Sequence, residues 1–297
     1  MQKLLISLKE AFKRVSGKSI LSEISFAVRE GETTAILGPN GSGKSSLLKL
    51  LSGLSSLSSG VRTVVHPTDR NLVIGYAPDR FPKLRFTARE YLMSMGMIRG
   101  IPRNVLESRI EQLLRLFQLE EAADRETIHY SKGMLQKTNI MQAILQVPDV
   151  LLLDEPLSGL DADMRKQLMG VLFDLKAQGV SIVLTSHEKA FVELLADRIV
   201  TLRDGNIITD DLIIQDSVSR PQKRIKRIEF RLPADIANEW NELADMEGFI
   251  SWEQLGSSYY AAAVLAVCST PILKAILDAG GTVESVSDLV LKSERAR

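Results

Sequence analysis

Residues 33–54 read TTAILGPNGSGKSSLLKLLSGL and predict a strand, a glycine-rich turn and a helix in immediate succession. The apolar run at 33–38 is typical of a short buried strand, and residues 45–54 are typical of a helix. Between them, GPNGSGKSS (38–46) has the spacing G-x-x-x-x-G-K-[ST], which in this context indicates a phosphate-binding loop. A glycine-rich turn with an incidental Lys-Ser pair is the alternative, and the intact spacing after a strand argues against it.

The residue types in this loop suit a nucleoside triphosphate with Mg²⁺. The glycines let the backbone wrap closely and point N–H groups at phosphate oxygens. Lys44 adds a positive charge near the β- and γ-phosphates, and Ser45 supplies a hydroxyl to the metal ion. The expected nucleotide-binding residues are Gly38, Pro39, Asn40, Gly41, Ser42, Gly43, Lys44, Ser45 and Ser46.

A second apolar strand ends in two acids. The run DVLLLDEP (149–156) is typical of a buried parallel strand, and unpaired buried carboxylates are costly. Mg²⁺ accounts for them if Asp154 holds the ion through water and Glu155 orients and deprotonates the attacking water. The alternative is a solvent-facing acid pair at the strand end, which the phosphate loop upstream disfavours.

His187 ends the next apolar run, VSIVLTSH (180–187), and is placed to hydrogen-bond the γ-phosphate. A purely structural histidine at the end of a strand is the alternative. His66 and His129 have no comparable position, and we interpret both as surface or turn residues.

The composition sets further limits. The 297 residues are enough for about two domains, and 37 basic residues balance 37 acidic ones. This balance argues against nucleic acid as a partner. A single cysteine, Cys268, excludes an internal disulfide and favours a reducing cytosol. We expect no membrane span, because the longest apolar candidate, 259–268, is half the length that a spanning helix needs.

The order of predicted elements indicates an α/β core at 1–215 with a helical insert at about 86–147. Thr87 and Glu90 have capping-box spacing, and residues 102–119 have the pattern of an amphipathic helix. The basic stretch DSVSRPQKRIKR (216–227) is interpreted as a linker, with a membrane or partner contact as the alternative. Beyond it, 228–297 predict the order β-α-β-β-α-β of a small α+β, ferredoxin-like domain.

One further stretch narrows the choice among phosphate-loop proteins. YSKGMLQ (130–136) resembles the L-S-G-G-Q signature of ABC-type ATPases, with Ser131 and Gly133 as the matching residues. LSGLD (157–161) resembles the D-loop of that family, and TSH (185–187) resembles its H-switch. The resemblance covers about 1–215, with Lys132 where glycine is usual and Met134 where glutamine is usual.

The resemblance implies that ATP is held between two subunits that meet head to tail, as a homodimer or a heterodimer. Ser131 and Gly133 of one subunit then face the γ-phosphate held by Lys44 of the other, at the N-terminus of a helix that favours anions. In IGYAPDR (74–80), Asp79 replaces the glutamine of the family's Q-loop and is expected to reach Mg²⁺ through water.

The resemblance therefore predicts an ATP-hydrolysing subunit of a membrane ABC transporter. GTVESVSDLVLKSE (281–294) resembles a tail motif of bacterial exporters of the drug and lipid type, so we expect an exporter-like system. The chain would lie at the cytoplasmic face of a bacterial membrane and contact a transmembrane permease subunit through its helical insert. A soluble ABC ATPase in assembly or regulation is the alternative, and a phosphate-loop kinase is a third, disfavoured by the signature and D-loop.

Overall fold

The computed structural model describes residues 3–66, 70–212, 225–233, 246, 249–256, 258–265 and 269–289. The contacts divide the chain into two units, Met1–Ile214 and Gln215–Arg297. Within the described residues, no helix combines the length and the apolar composition that a bilayer crossing requires.

A three-stranded antiparallel sheet opens the first unit. Its strands lie in the order β2-β1-β4 and comprise β1 (Leu4–Val15), β2 (Lys18–Arg29) and β4 (Ser59–Val64). Ser16 and Gly17 have φ values of 49° and 79°, the backbone that closes a two-residue hairpin between the first two strands.

The central sheet has six strands in the order β5-β6-β7-β3-β8-β9. They are β3 (Thr33–Leu37), β5 (Ile74–Ala77), β6 (Val150–Leu153), β7 (Ser181–Thr185), β8 (Arg198–Arg203) and β9 (Asn206–Leu212). All pairs are parallel except β8 with the edge strand β9. The carboxyl ends of β3, β6 and β7 therefore meet at one edge, where open α/β sheets bind ligands.

Helices pack on this sheet and form the insert. Their bounds are α1 (Lys44–Ser52), α2 (Ala88–Ile98), α3 (Arg103–Leu116), α4 (Lys132–Ala143), α5 (Ala162–Ala177) and α6 (Lys189–Leu195). The capping box at the start of α2 is confirmed, since Glu90 N–H donates to Thr87 Oγ1 and Thr87 N–H donates to Glu90 Oε2. Leu113, Leu114 and Phe117 are among the fully buried apolar residues that join the insert to the central sheet.

The second unit has its own sheet and core. Its elements are β10 (Ile225–Arg231), β11 (Phe249–Gly256), β12 (Tyr259–Leu265), α7 (Ser269–Asp278) and β13 (Thr282–Leu289). The strands are antiparallel in the order β11-β12-β10-β13. Phe230, Tyr260 and Ile276 are buried in its core.

The expected linker at 216–227 is partly wrong, because β10 begins at Ile225 and takes in residues 225–227. Residues 225–227 pair with both neighbouring strands, Ile225 lying opposite Leu265 on β12 and Leu289 on β13, so sheet pairing overrides the basic composition. Residues 216–224, residues 234–245 of the expected helix ADIANEWNELADM (234–246), and Cys268 lie outside the described residues.

The contact between β5 and α4 gives a stability prediction. A Cβ atom at Gly75 would lie 2.2 Å from the carbonyl oxygen of Ala143, so Gly75→Ala must push the strand and helix apart. We expect this variant to lose about 1–3 kcal/mol of stability. The matched control is Gly170→Ala, which meets no atom within 4 Å in the exposed middle of α5 and should gain up to about 1 kcal/mol. Urea denaturation midpoints measure both, and a Gly75→Ala variant as stable as the parent would contradict the packing described.

Candidate nucleotide-binding site

The glycines of the loop after β3 have different tasks. Gly38 (φ 149°) and Gly43 (φ 105°) face protein atoms, and a Cβ there would lie 2.1 Å from Leu202 O and 2.6 Å from Leu21 Cδ2. Gly41 (φ 80°) has no other atom within 4 Å of the same position. Two glycines therefore fold the loop tightly, and the third leaves its outer surface bare for a ligand.

The loop leads into the N-terminus of α1 with its donors available. Gly43 is the N-cap and provides no side-chain hydrogen bond to the first turn, so these N–H groups suit an external anion. Lys44 Nζ donates to Gly38 O (2.7 Å) and Pro39 O (3.1 Å), which holds the ammonium over the loop. Ser42 Oγ is buried without a hydrogen-bond partner among the described residues, and Ser45 is exposed.

The two acids follow β6 directly, as the sequence predicts. Asp154 is buried and accepts a hydrogen bond at Oδ1 from the hydroxyl of Thr185 (2.8 Å). Glu155 has a left-handed backbone, with φ of 50°, and its N–H donates to the same hydroxyl oxygen at 2.8 Å. The chain therefore turns sharply at Glu155 and carries its side chain away from the strand direction.

His187 lies two residues beyond the end of β7 rather than at the last strand position. Its Nε2 atom is 2.9 Å from Glu155 Oε1. Glu155 Oε1 is buried and accepts no hydrogen bond of good geometry from any described residue. The imidazole and the carboxylate thus form a close pair that strengthens when the ring is protonated.

Burial and the neighbouring charges together set the pKa of the Glu155 carboxyl. Burial raises the pKa of the Glu155 carboxyl above its usual value, and the nearby charges of His187 and Lys44 lower it in part. The carboxylates of Asp154 and Asp79 raise this pKa further. Asp79 therefore lies close enough to Glu155 to affect its pKa. The carboxylate of Asp79 itself forms an ion pair with Arg80 at 3.7 Å.

The residues available to Mg²⁺ are few. Within the described part of the chain, no cluster of three or more His, Cys, Asp or Glu side chains could hold a metal unaided. Mg²⁺ commonly uses one or two carboxylates together with substrate phosphates and water, so this set of ligands is compatible with it. Asp154 fits that use, because Thr185 hydrogen-bonds only Oδ1 and no described residue donates to Oδ2.

The signature stretch forms the start of α4. Ser131 is the N-cap, and its hydroxyl accepts a hydrogen bond from Met134 N–H at 3.2 Å. Tyr130 is buried and donates to Ala122 O at 2.5 Å, which anchors the turn. Ser131 remains exposed and makes no hydrogen bond to the phosphate loop of its own chain.

Lys132, where the family usually has glycine, lies along the loop that follows the two acids. Its Nζ atom donates to Ser158 Oγ at 3.0 Å. The aliphatic part of the side chain covers Gly159, where a Cβ would lie 2.6 Å from Lys132 Cδ. Within one chain, this lysine therefore joins the signature turn to the D-loop.

Sequence reasoning missed two sets of polar contacts. Gln136, Asn139 and Gln142 form a buried polar face on α4 and donate to the carbonyls of Pro156 (3.3 Å), Pro78 (2.6 Å) and Tyr76 (2.6 Å). The signal in the sequence is the three-residue spacing of these amides, which places them on one face of the helix. In the sequence, Thr185 stands out only as part of TSH (185–187), although a hydroxyl within an apolar strand also predicts a buried hydrogen-bond partner.

Comparisons with known proteins agree with this geometry. Residues 21–158 match the family model described as ABC transporter. An ABC transporter ATP-binding protein of Synechocystis is 38% identical over 63% of this chain and 55% of its own length. The ABC transporter ATP-binding protein YxlF of Bacillus subtilis is 33% identical over 68% of this chain and 69% of its own length.

A solved ATP-binding subunit of an ABC transporter has the same fold. It is 29% identical, with a TM-score of 0.64, and the alignment covers 70% of this chain and 90% of that one. The chain spans only 55% of the length of the Synechocystis relative, so the similarity concerns the cassette and not that whole protein. With its phosphate loop, its acid pair and these relatives, the chain belongs to the ABC transporter ATP-binding protein family.

Proposed function

We propose that the chain binds and hydrolyses ATP, and that it powers a membrane ABC transporter through ATP-driven pairing of two ATP-binding subunits. The observation that supports this most directly is the placement of Lys44, Asp154 and Glu155 at one edge of the parallel sheet. A site that holds phosphates and also contains a carboxylate of raised pKa suits hydrolysis better than storage of nucleotide.

In this proposal the loop at 38–46 holds the triphosphate, with Lys44 moving from Gly38 O to the phosphates. Ser45, Asp154 and Asp79 would hold Mg²⁺, directly or through water, and the ion would supply positive charge against the phosphates. Glu155 accepts a proton from the attacking water, and its raised pKa makes it a stronger base than an ordinary glutamate. His187 keeps the Glu155 carboxylate oriented and donates to the γ-phosphate.

The second subunit completes the site. Ser131 and Gly133 are placed at the N-terminus of the twelve-residue helix α4, where N–H groups and the helix dipole favour an anion. Because Ser131 makes no hydrogen bond to its own phosphate loop, we assign it and Gly133 to the γ-phosphate of a partner subunit, identical or related.

A surface on the helical insert supports a permease partner. Exposed apolar side chains lie at the end of α2 and the start of α3, including Ile98 (78% exposed) and Val105 (54%). Val105 lines a groove of about 760 Å³ that also contains Arg99 and Arg109, and Ile98 directly precedes Arg99 in the chain. Both guanidinium groups bond carbonyls at the end of α4, and no described carboxylate pairs with them. We assign this surface to a cytoplasmic segment of a transmembrane subunit.

The proposal also covers the location of the chain, the type of transporter and the role of the second unit. The cassette at 1–215 with its helical subdomain would lie peripherally at the cytoplasmic face of a bacterial membrane, and the tail resemblance favours an exporter-like system. The unit that follows has the strand order 2-3-1-4, counted along its own sequence, which supports a ferredoxin-like accessory domain at about 228–297. We assign it a dimer-stabilising or regulatory role.

Replacing the general base tests the shared site. Glu155→Gln should keep ATP binding, lower hydrolysis by about 100-fold or more, and accumulate a dimer in ATP, because the nucleotide is no longer consumed. Light scattering after size-exclusion chromatography measures the dimer, and phosphate release measures hydrolysis. The exposed Glu120→Gln is the control and should behave as the parent. A Glu155→Gln variant that stays monomeric in saturating ATP would contradict the shared-site model.

The pH dependence tests the role of the imidazole. Since His187 lowers the raised pKa of Glu155, its removal should raise that pKa further. Glu155 must be deprotonated to act as a base, so in His187→Ala the acidic limb of kcat/KM should lie at higher pH than in the parent. His129→Ala, an exposed control, should leave the limb in place. An unchanged or lowered limb in His187→Ala would show that the two groups do not interact in the working enzyme.

The partner assignment predicts recovery of an integral membrane protein. The full chain should co-purify from detergent-solubilised membranes of its source with a subunit of several spanning helices. Val105→Glu should weaken this recovery, because it places a charge at a 54% exposed apolar position that lines the groove. Val61→Glu, at a 58% exposed position on β4, is the matched control. Recovery of no integral protein with the parent chain would favour a soluble ABC ATPase instead.

A further inference from the structure

We propose that Thr185 is a positioning residue for hydrolysis, whose single buried hydroxyl fixes both acids that follow β6. The inference rests on the proposed ATPase function and assigns a role within it to a residue that acts through its bonds to the two acids. Its basis is a pair of short hydrogen bonds at the ends of two neighbouring strands.

The geometry follows from the sheet register. β6 and β7 are parallel, with Leu153 opposite Leu184. The residues that follow, Asp154 and Thr185, therefore lie side by side. Thr185 is fully buried at the end of β7. Its oxygen accepts from Glu155 N–H at 2.8 Å, and its hydroxyl lies 2.8 Å from Asp154 Oδ1.

The direction of these two bonds is fixed by chemistry. A backbone N–H can only donate, so the Glu155 bond uses a lone pair of the threonine oxygen. A carboxylate can only accept, so the hydroxyl proton of Thr185 must point at Asp154. The hydroxyl therefore cannot rotate to another partner without breaking one of the bonds to the acids.

Glu155 needs this restraint because its backbone is unfavourable. With φ of 50°, it occupies the left-handed region that side-chain-bearing residues rarely adopt. The Thr185 bond fixes the N–H of Glu155, and Ser158 N–H donates to its carbonyl at 3.0 Å. Hydrogen bonds thus restrain both the N–H and the carbonyl of Glu155. Its carboxylate is directed towards His187 rather than along the strand.

Asp154 gains a fixed orientation from the same hydroxyl. Because Oδ1 is engaged by Thr185, the other carboxylate oxygen is the one left for a metal ion or its water. Loss of the hydroxyl would free the carboxylate to rotate and would leave a buried acceptor without its partner.

A threonine on the neighbouring strand shows that a buried hydroxyl in this sheet does not require a hydrogen-bond partner. Thr33 on β3 is equally buried and lies on the strand paired with β7, yet its Oγ1 has no hydrogen-bond partner among the described residues. Thr33→Val is therefore a matched control that removes a buried hydroxyl from the same sheet without touching the acids.

The test compares Thr185→Val, Thr185→Ala and Thr185→Ser with Thr33→Val in the full chain. For the Val and Ala variants we expect kcat to fall by about ten- to a hundredfold, while the KM for ATP changes little, because the reacting groups are misplaced and the cradle is intact. Thr185→Ser and Thr33→Val should keep kcat within about twofold of the parent.

Equilibrium dialysis with radiolabelled ATP, with and without Mg²⁺, gives a second readout that does not depend on turnover. Binding without Mg²⁺ should be unchanged in Thr185→Val, and the gain in affinity on adding Mg²⁺ should be several-fold smaller than in the parent. If Thr185→Val does not fold, the Ala and Ser pair carries the same comparison. Full kcat in Val or Ala, or a Ser variant as impaired as Val, would overturn the inference. A parent chain that does not hydrolyse ATP would instead overturn the proposed function.

Discussion

Burying charge at the end of an apolar strand is the constraint on which the first unit depends. Asp154 and Glu155 follow four buried residues of β6, where a carboxylate loses most of its hydration. The fold offsets this cost with groups from other elements: the hydroxyl of Thr185 from β7, the ammonium of Lys44 from α1 and the imidazole of His187. These groups meet because parallel strands deliver their carboxyl ends to one edge of the sheet.

The sequence predicts the parts of this site that depend on local pattern. Glycine spacing, the acids after an apolar run and the capping box at Thr87 are each visible within about ten residues of sequence. The Thr185 contacts are not, because they depend on which strand lies beside β6 and in what register. The same holds for Asn139, whose acceptor, Pro78 O, is 61 residues away along the chain. The error at 225–227 arose in the opposite way, since basic composition obscured a strand whose partners lie far along the sequence.

Lys132 shows how a departure from a family pattern acquires a physical explanation. In isolation, a lysine in place of glycine in the signature suggests an additional contact with phosphate. Within one chain its ammonium is instead occupied by Ser158, and its aliphatic stem fills the space above Gly159. The lysine thus provides packing across the D-loop that a glycine at position 132 would leave open.

The two borders of the central sheet have a consequence for how the chain behaves at high concentration. One border is β5, only four residues long, and the other is β9, where Asp211 is exposed and Asp210 pairs with Arg198 on β8. Short or charged borders are poor templates for the strands of another molecule, because few backbone groups are offered or like charges repel. The central sheet is therefore protected against amyloid-like stacking and aggregation through its edges, even where apolar strands make up its interior.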